Sequence, residues 1–277
     1  MAPPLIELIR ATKRFPDGSG SVHTAVRELS MTVEPGQFVA VVGPTGCGKS
    51  TTLSLVSGLQ PVSAGRVRVH GTDVKSIPDG VGYMFQTDAV MPWRSVLDNV
   101  ASGPRFRGVP KAQARAKAVD WISRVGLAGF EKYYPHQLSG GMRKRVALAQ
   151  TLVTDPKILL MDEPFSALDV QTRALMQDEL LRLWSGSASA GPPAPPGAAV
   201  IFVTHDLDEA IVLADKVVVL TTGPATVKDV FEIPLQRPRK VEELRLTEEF
   251  RVLYSNIWES LRGEVDKARQ KGAGNVA

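Results

Sequence analysis

A glycine-rich stretch at residues 43–51 constrains the fold of this chain more than any other segment. It reads Gly43-Pro44-Thr45-Gly46-Cys47-Gly48-Lys49-Ser50-Thr51 and lies between an apolar run and a helix-forming run. The glycines let successive backbone N–H groups face phosphate oxygens, and the helix N-terminus adds positive potential. Lys49 supplies a charge to the phosphates, and the Ser50 hydroxyl is a natural Mg²⁺ ligand. The stretch therefore predicts a phosphate-binding loop for a nucleoside triphosphate.

Composition narrows the class of protein. The chain has 277 residues, of which 43% are apolar and 22% are charged, as in ordinary globular proteins. It has no apolar run of 18 residues, and we expect no signal peptide at its start. The single cysteine, Cys47, excludes an internal disulfide and fits a reducing cytosol. The net charge of +4 is mild and does not require a nucleic-acid partner.

Polar residues follow three further apolar strands. Asp162 and Glu163 end the run at 157–161, Gln86 ends the run at 81–85, and His205 follows the run at 199–204. The carboxyl edge of a parallel sheet is where α/β proteins bind ligands. One carboxylate can hold Mg²⁺, and the next can take a proton from water. From the pattern alone, a surface position is favoured for Gln86, and a structural role for His205 is as well supported as a phosphate contact.

A second helix start is also suited to anions. Ser139 is placed as an N-cap before Gly140 and Gly141, and a strong amphipathic helix follows. This start lies roughly 95 residues after the first one, so it needs a separate explanation. The basic run at 143–145 is interpreted as a solvated face.

The remaining segments give a coarse order of elements. Strands are predicted at 5–11, 26–33, 66–71 and in 216–233, with a turn at 16–18 and helices at 111–125 and 166–184. Phe15 is a candidate for stacking on a base, although the pattern alone favours a packed hairpin phenylalanine. The Ser/Gly/Ala/Pro segment at 185–199 is predicted to be a flexible loop. An amphipathic tail helix is indicated by Phe250, Leu253, Tyr254, Ile257, Trp258, Leu261 and Val265.

Taken together, these motifs resemble the ATP-binding subunit of an ABC transporter along nearly the whole chain. The family has six motifs, and this chain matches them in order and spacing. They are the Walker A motif at 43–51, the Q-loop at Gln86, the signature at 138–142, the Walker B motif at 158–164, the D-loop at 166–169 and the switch histidine at His205. The stretches at 84–100, 134–137 and 204–210 are similar to the nitrate/sulfonate/taurine importer subfamily. Phe15 stands where this family most often has tyrosine, which preserves stacking.

The resemblance implies an α/β fold with several parts. We expect a P-loop NTPase (RecA-like) core, an antiparallel β subdomain, an inserted α-helical subdomain and a C-terminal helical tail. The ATP-binding domain would span residues 5–237, with the helical subdomain at about 87–155, and the extension would span 238–277.

The resemblance also implies residue roles. Lys49 and the amides of residues 46–51 would hold the ATP phosphates, with Mg²⁺ coordinated by Ser50 and Gln86 and with Asp162 behind them. Glu163 would polarise the attacking water, and His205 would contact the γ-phosphate. Two copies would face head to tail, so that Ser139, Gly140 and Gly141 act on the nucleotide held by the other copy, and Asp169 would link the two sites.

The implied function is ATP hydrolysis that energises import of a sulfonate, taurine, nitrate or a similar solute. The expected partners are a second copy, transmembrane permease subunits and, indirectly, a periplasmic or lipid-anchored solute-binding protein, at the cytoplasmic face of the inner membrane. Alternatives are an importer for a thiamine precursor or bicarbonate, a non-transport ABC ATPase, and a small-molecule kinase built on a P-loop.

Overall fold

The computed structural model describes residues 3–16, 20–87, 89–166, 168–185, 198–237, 239 and 241–273. The chain divides into two compact units, Met1–Asp79 with Ala199–Ala277, and Gly80–Ala198. The flexible loop predicted at 185–199 lies, apart from its ends, outside the described residues, and so does most of the turn predicted at 16–18. The predicted domain boundary at 237/238 stays a prediction.

The first unit contains an antiparallel sheet with the strand order β2-β1-β4-β5. Its strands are β1 (Ile6–Pro16), β2 (Val22–Val33), β4 (Ala64–Val69) and β5 (Thr72–Asp73). β1 and β2 are longer than predicted because irregular register interrupts the alternation of apolar and polar residues. Arg10 and Glu28 have positive φ angles of 47° and 44° there. Beyond the irregularity Thr12 and Lys13 are buried, and the Lys13 ammonium donates to the Pro61 carbonyl at 2.9 Å.

The same unit contains four strands in the order β10-β9-β3-β8. They are β3 (Phe38–Val42), β8 (Ala199–Val203), β9 (Lys216–Leu220) and β10 (Val227–Glu232), with helices α1 (Lys49–Val56) and α7 (Leu207–Leu213). β3 pairs in parallel with β8 and β9, and every residue of β3 and β8 is buried. This explains why their sequences are apolar throughout rather than alternating.

The tail of the chain forms α8 (Val241–Leu244) and α9 (Glu248–Ala273). The predicted amphipathic helix is present, and Phe250, Ile257 and Leu261 are buried. Tyr254 and Trp258 are 39% and 44% exposed, however, while the carboxylate residue Glu264 is only 1% exposed. The buried stripe is therefore narrower than the apolar pattern suggested, and one acid lies within it.

The second unit combines a parallel strand pair with helices. Its elements are β6 (Val81–Met84), β7 (Ile158–Asp162), α2 (Val96–Val100), α3 (Ser102–Phe106), α4 (Lys111–Arg124), α5 (Gly140–Leu152) and α6 (Val170–Ser185). β6 and β7 pair in register from Val81 with Ile158. No helix in the described part of the chain is long and apolar enough to cross a membrane.

The basic run at 143–145 was wrongly interpreted as a solvated face. Lys144 is 5% exposed, and Arg143 and Arg145 are half-buried. Arg145 donates to the carbonyls of Val125 and Gly126, at the end of α4. These cations satisfy backbone carbonyls, a use that a charge pattern on its own cannot reveal.

Candidate active site

The predicted phosphate-binding loop at residues 43–51 connects β3 to α1, as its sequence indicated. Gly46 and Gly48 have φ angles of 73° and 118°, values that residues with a Cβ atom rarely adopt. A Cβ on Gly48 would also lie 2.6 Å from the Ala25 carbonyl oxygen. Glycine is therefore required at residue 48 both for the backbone angle and for the close approach of β2.

Lys49 lies at the first position of α1 and is 6% exposed. Its ammonium group donates to the carbonyls of Gly43 and Pro44 at 2.8 and 3.0 Å. These two bonds hold the Lys49 charge over the loop backbone. They use two of the three N–H donors of the ammonium group. Ser50, the next residue, is exposed, so its hydroxyl is accessible to a ligand.

The Cys47 side chain is buried within the loop and is 2% exposed. A Cβ on Gly43 would lie 2.9 Å from its sulfur, so the thiol fills the space that this glycine leaves. Burial raises the pKa of the Cys47 thiol, although the nearby Lys49 charge acts in the opposite direction. The thiol is thus a packing group of low reactivity.

The other two candidates of the first unit lie at the ends of strands. Phe15 is half-buried near the end of β1, opposite His23, and the Lys13 ammonium lies 4.9 Å from its ring centroid. His205 is exposed and follows β8 after Thr204. The next residue, Asp206, caps α7 by accepting from the N–H groups of Asp208 and Glu209.

In the second unit, the structure brings Gln86 and Glu163 together. The Gln86 amide donates to the Glu163 carboxylate at 3.1 Å, across 77 positions of sequence. Glu163 has a positive φ of 45°, an unusual angle for a residue with a side chain, whereas Asp162 is buried at the end of β7. Glu163 is only half-buried, so its carboxylate faces the Gln86 loop while remaining accessible.

Lys144 is a site residue that sequence reasoning missed. Its ammonium group, on α5, donates to the backbone carbonyls of Phe85 and Gln86. The helix that begins at the predicted signature is therefore bonded to the main chain of the predicted Q-loop. A lysine at the fifth position of a helix gives no sequence signal for this contact, because the acceptors are backbone atoms.

The predicted signature residues lie at the start of α5. Ser139 is exposed and its hydroxyl accepts the Met142 N–H at 3.2 Å, which confirms the N-cap of α5. A Cβ on Gly141 would lie 3.5 Å from the Leu168 side chain, so the signature packs beside the predicted D-loop.

Asp169, in that loop, is exposed. Its carboxylate accepts the Thr172 N–H at 2.9 Å, within the first turn of α6. Hydrogen bonds from the Thr172 backbone and side chain lower the pKa of Asp169.

An apolar groove of about 350 Å³ lies beside Gln86 within the second unit. Its lining includes Phe85 and Phe106, which are 41% and 74% exposed, together with Gly103 and Thr154. Large aromatic side chains exposed around a groove are typical of a protein–protein contact.

Comparison with known proteins gives a consistent result. A family model described as ABC transporter matches residues 26–166. The chain is 43% identical over 257 residues to the uncharacterized ABC transporter ATP-binding protein MJ0412 of Methanocaldococcus jannaschii, covering 93% of this chain and 91% of that relative. It is 40% identical over 216 residues to the taurine import ATP-binding protein TauB of Escherichia coli, covering 78% and 80%.

Solved structures confirm the predicted fold class. Two structures of the ATP-binding cassette MJ0796, both described as dimeric and one as bound to ADP and Pi, are 26% and 27% identical to this chain. Each has a TM-score of 0.73 and covers 83% of this chain and 100% of its own. The fold is the ABC ATPase cassette, a P-loop NTPase with mixed α/β sheets.

Proposed function

Because the chain belongs to the ABC transporter family of ATP-binding proteins, we propose that it energises import of a small solute such as taurine, another sulfonate or nitrate. It is an ABC-type ATPase, and the importer assignment rests on its similarity to TauB. The choice of solute is supported by the resemblance of residues 84–100 to the nitrate/sulfonate/taurine importer subfamily.

The observation that carries the ATPase mechanism is the hydrogen bond between Gln86 and Glu163. A carboxylate held by an amide donor, half-exposed at the end of β7, is suited to accept a proton from water. Lys49 and the loop amides bind the phosphates, and His205 contacts the γ-phosphate. Phosphoryl transfer needs positioning and charge stabilisation above all, and these groups provide both.

The donor atoms fit Mg²⁺. Ser50 offers a hydroxyl, Asp162 a carboxylate, and Gln86 an amide oxygen, because its nitrogen is the atom bonded to Glu163. Hard oxygen ligands of this kind suit Mg²⁺. These residues would hold the ion, which would supply neutralisation of phosphate charge.

The Ser139 helix start explains the proposed head-to-tail dimer. Ser139 is exposed and precedes two glycines, so the first-turn amides of α5 are accessible to an anion. In the dimer these groups act on the nucleotide of the other copy, ATP completes the interface, and hydrolysis reopens it. The groove lined by Phe85 and Phe106 accepts a short helix from a permease subunit at the cytoplasmic membrane face.

Ser139→Arg tests the shared site, because it blocks the helix start without touching residues 43–51. We expect the variant to bind ATP with wild-type affinity as a monomer and to lose steady-state hydrolysis. Ser123→Arg adds the same charge at an exposed serine of α4 and is the control, with hydrolysis expected at the wild-type rate. Loss of ATP binding in Ser139→Arg would contradict the role across the dimer.

Solute uptake tests the transport assignment. In the source cell, deletion of this chain should abolish uptake of labelled taurine, and the wild-type chain, but not Glu163→Gln, should restore it. Normal taurine uptake in the deletion strain would exclude this solute, and the same assay with nitrate and a second sulfonate would then discriminate among the remaining ones.

A further inference from the structure

A tight turn at residues 221–226 packs against the phosphate-binding loop of the same unit. A Cβ on Gly223 would lie 3.9 and 4.0 Å from the carbonyl oxygens of Gly46 and Cys47. A Cβ on Gly48 would lie 3.0 Å from the Ala225 side chain. The turn between β9 and β10 therefore lies close to the loop backbone at both of its glycines with positive φ.

Internal hydrogen bonds define the shape of this turn. The Thr221 N–H donates to the Thr226 carbonyl at 3.0 Å, and the Thr221 hydroxyl donates to the Pro224 carbonyl at 3.0 Å. The Ala225 N–H donates to the Ala25 carbonyl at 2.8 Å, which links the turn to β2. One backbone donor at the tip of the turn, the Thr222 N–H, takes an acceptor from outside these segments.

That acceptor is Glu264, on the tail helix α9. Its carboxylate accepts the Thr222 N–H at 2.8 Å across 42 positions of sequence. The same carboxylate accepts from Lys267 at 2.7 Å and lies 3.4 Å from the Lys228 ammonium. An acid that is 1% exposed is costly to bury, and these three contacts offset the cost.

We propose that Glu264 is a positioning residue for the phosphate-binding loop, acting through the Thr222 N–H and the turn at residues 221–226. It touches no nucleotide itself. It fixes the turn, and the turn supports the backbone of Gly46, Cys47 and Gly48, whose amides face the phosphates. The tail helix is thus part of the nucleotide-binding machinery. This inference rests on the proposed binding of ATP by residues 43–51.

Three variants separate this role from simple docking of α9. Glu264→Ala removes the acceptor for Thr222, whereas Glu264→Gln loses the same charge but keeps an oxygen acceptor. Ser260→Ala removes a different contact of α9, the hydrogen bond from the Ser260 hydroxyl to Asp229. Two measurements are made on each full-length variant, the Kd for ATP and the rate of Cys47 alkylation by iodoacetamide. Cys47 is the only cysteine of the chain, so its alkylation reports on the loop alone.

Glu264→Ala should bind ATP about tenfold more weakly and alkylate about tenfold faster than wild type, as expected for loss of the acceptor of one buried hydrogen bond. Glu264→Gln and Ser260→Ala should match wild type in both measurements. If Glu264→Gln changed the Kd for ATP and the alkylation rate as much as Glu264→Ala, the cause would be the lost charge, and the proposal would be overturned.

An effect of Ser260→Ala as large as that of Glu264→Ala would likewise overturn the proposal, in favour of general docking of the helix. The alkylation rate needs no nucleotide. If the wild type bound no ATP while Glu264→Ala alone exposed Cys47, the proposed function would fail and the role of Glu264 in holding the loop would stand.

Discussion

The Gln86 amide nitrogen lies 3.1 Å from a carboxylate oxygen of Glu163, and this hydrogen bond joins the end of β6 to the end of the neighbouring strand β7. Through it, the position of the Q-loop side chain and the orientation of the proposed base are determined together. A movement of residues 85–87 would change the environment of the carboxylate that we propose as the base.

Glu163→Gln should retain ATP binding and lose turnover. Without a carboxylate, the water has no base, and general-base catalysis contributes about 10²–10⁴-fold. We expect kcat to fall by at least about 10²-fold, with a stable ATP-bound dimer on size-exclusion chromatography. Glu249→Gln, an exposed acid in the first turn of α9, is the control and should leave kcat unchanged. Ordinary steady-state hydrolysis by Glu163→Gln would refute the assignment.

Lys144→Met should reduce hydrolysis more than nucleotide affinity. The buried ammonium group satisfies the Phe85 and Gln86 carbonyls, and its loss leaves these acceptors without the charge-assisted bond. We expect the free energy of unfolding to fall by about 1–3 kcal/mol, measured with urea. Lys117→Met removes an exposed lysine from α4 and should change both quantities little. Equal effects of the two substitutions would argue against the link between α5 and the Q-loop.

Arg239→Met should be strongly destabilising. The buried guanidinium donates to the carbonyls of Ile211, Val212 and Ala214 at the end of α7, and to those of Ile233 and Leu235. Burial lowers the pKa of Arg239 to about 10, which still leaves the side chain charged at neutral pH.

Loss of these bonds should lower the free energy of unfolding by at least about 3 kcal/mol, because several buried carbonyls lose their donor. Lysine cannot reproduce the planar arrangement of donors, so Arg239→Lys should rescue little. Arg262→Met on the exposed side of α9 is the matched control. A shift of less than about 1 kcal/mol in Arg239→Met would show that water replaces the guanidinium.

The stability that Glu264 contributes should depend on pH in the acid range. Burial acts to raise its pKa, but hydrogen bonds from Lys267 and Thr222 outweigh burial and lower the pKa below the usual 4.5. The unfolded chain then binds more protons than the folded chain below that value, so the contribution is present above pH 4.5 and is lost as pH falls through the folded pKa. The difference in unfolding free energy between wild type and Glu264→Gln should shrink in this window. A difference that grows on acidification would contradict the shift.

Cys47 should resist alkylation at neutral pH. Its thiol is buried and its pKa is raised, so the thiolate fraction is small. The rate of alkylation by iodoacetamide should increase as pH rises above 9, and MgATP should slow the reaction further. Rapid labelling at pH 7 that MgATP does not affect would mean that the loop opens widely in solution.

The sequence was sufficient to predict the elements that local residue types determine. The strand before residues 43–51, the N-cap Ser139 and the acids after β7 could be predicted because local residue types determine them. The contacts of Lys144 and Glu264 could not be predicted, since both bind backbone groups at 58 and 42 positions of separation. Phe15 shows an intermediate case. It was considered as a packed hairpin residue, but the predicted strand ended at residue 11, so neither its place in β1 nor the Lys13 charge near its ring was predicted.

The bond between Lys144 and the Gln86 backbone has a consequence for timing. In the proposed dimer, α5 begins directly after its N-cap Ser139, which acts on the nucleotide of the other copy. Gln86 is bonded to Glu163 of its own copy. In that dimer, a movement of the Q-loop in either copy would therefore act on both nucleotides. This connection would favour coupled hydrolysis of the two ATP molecules over independent hydrolysis at each site.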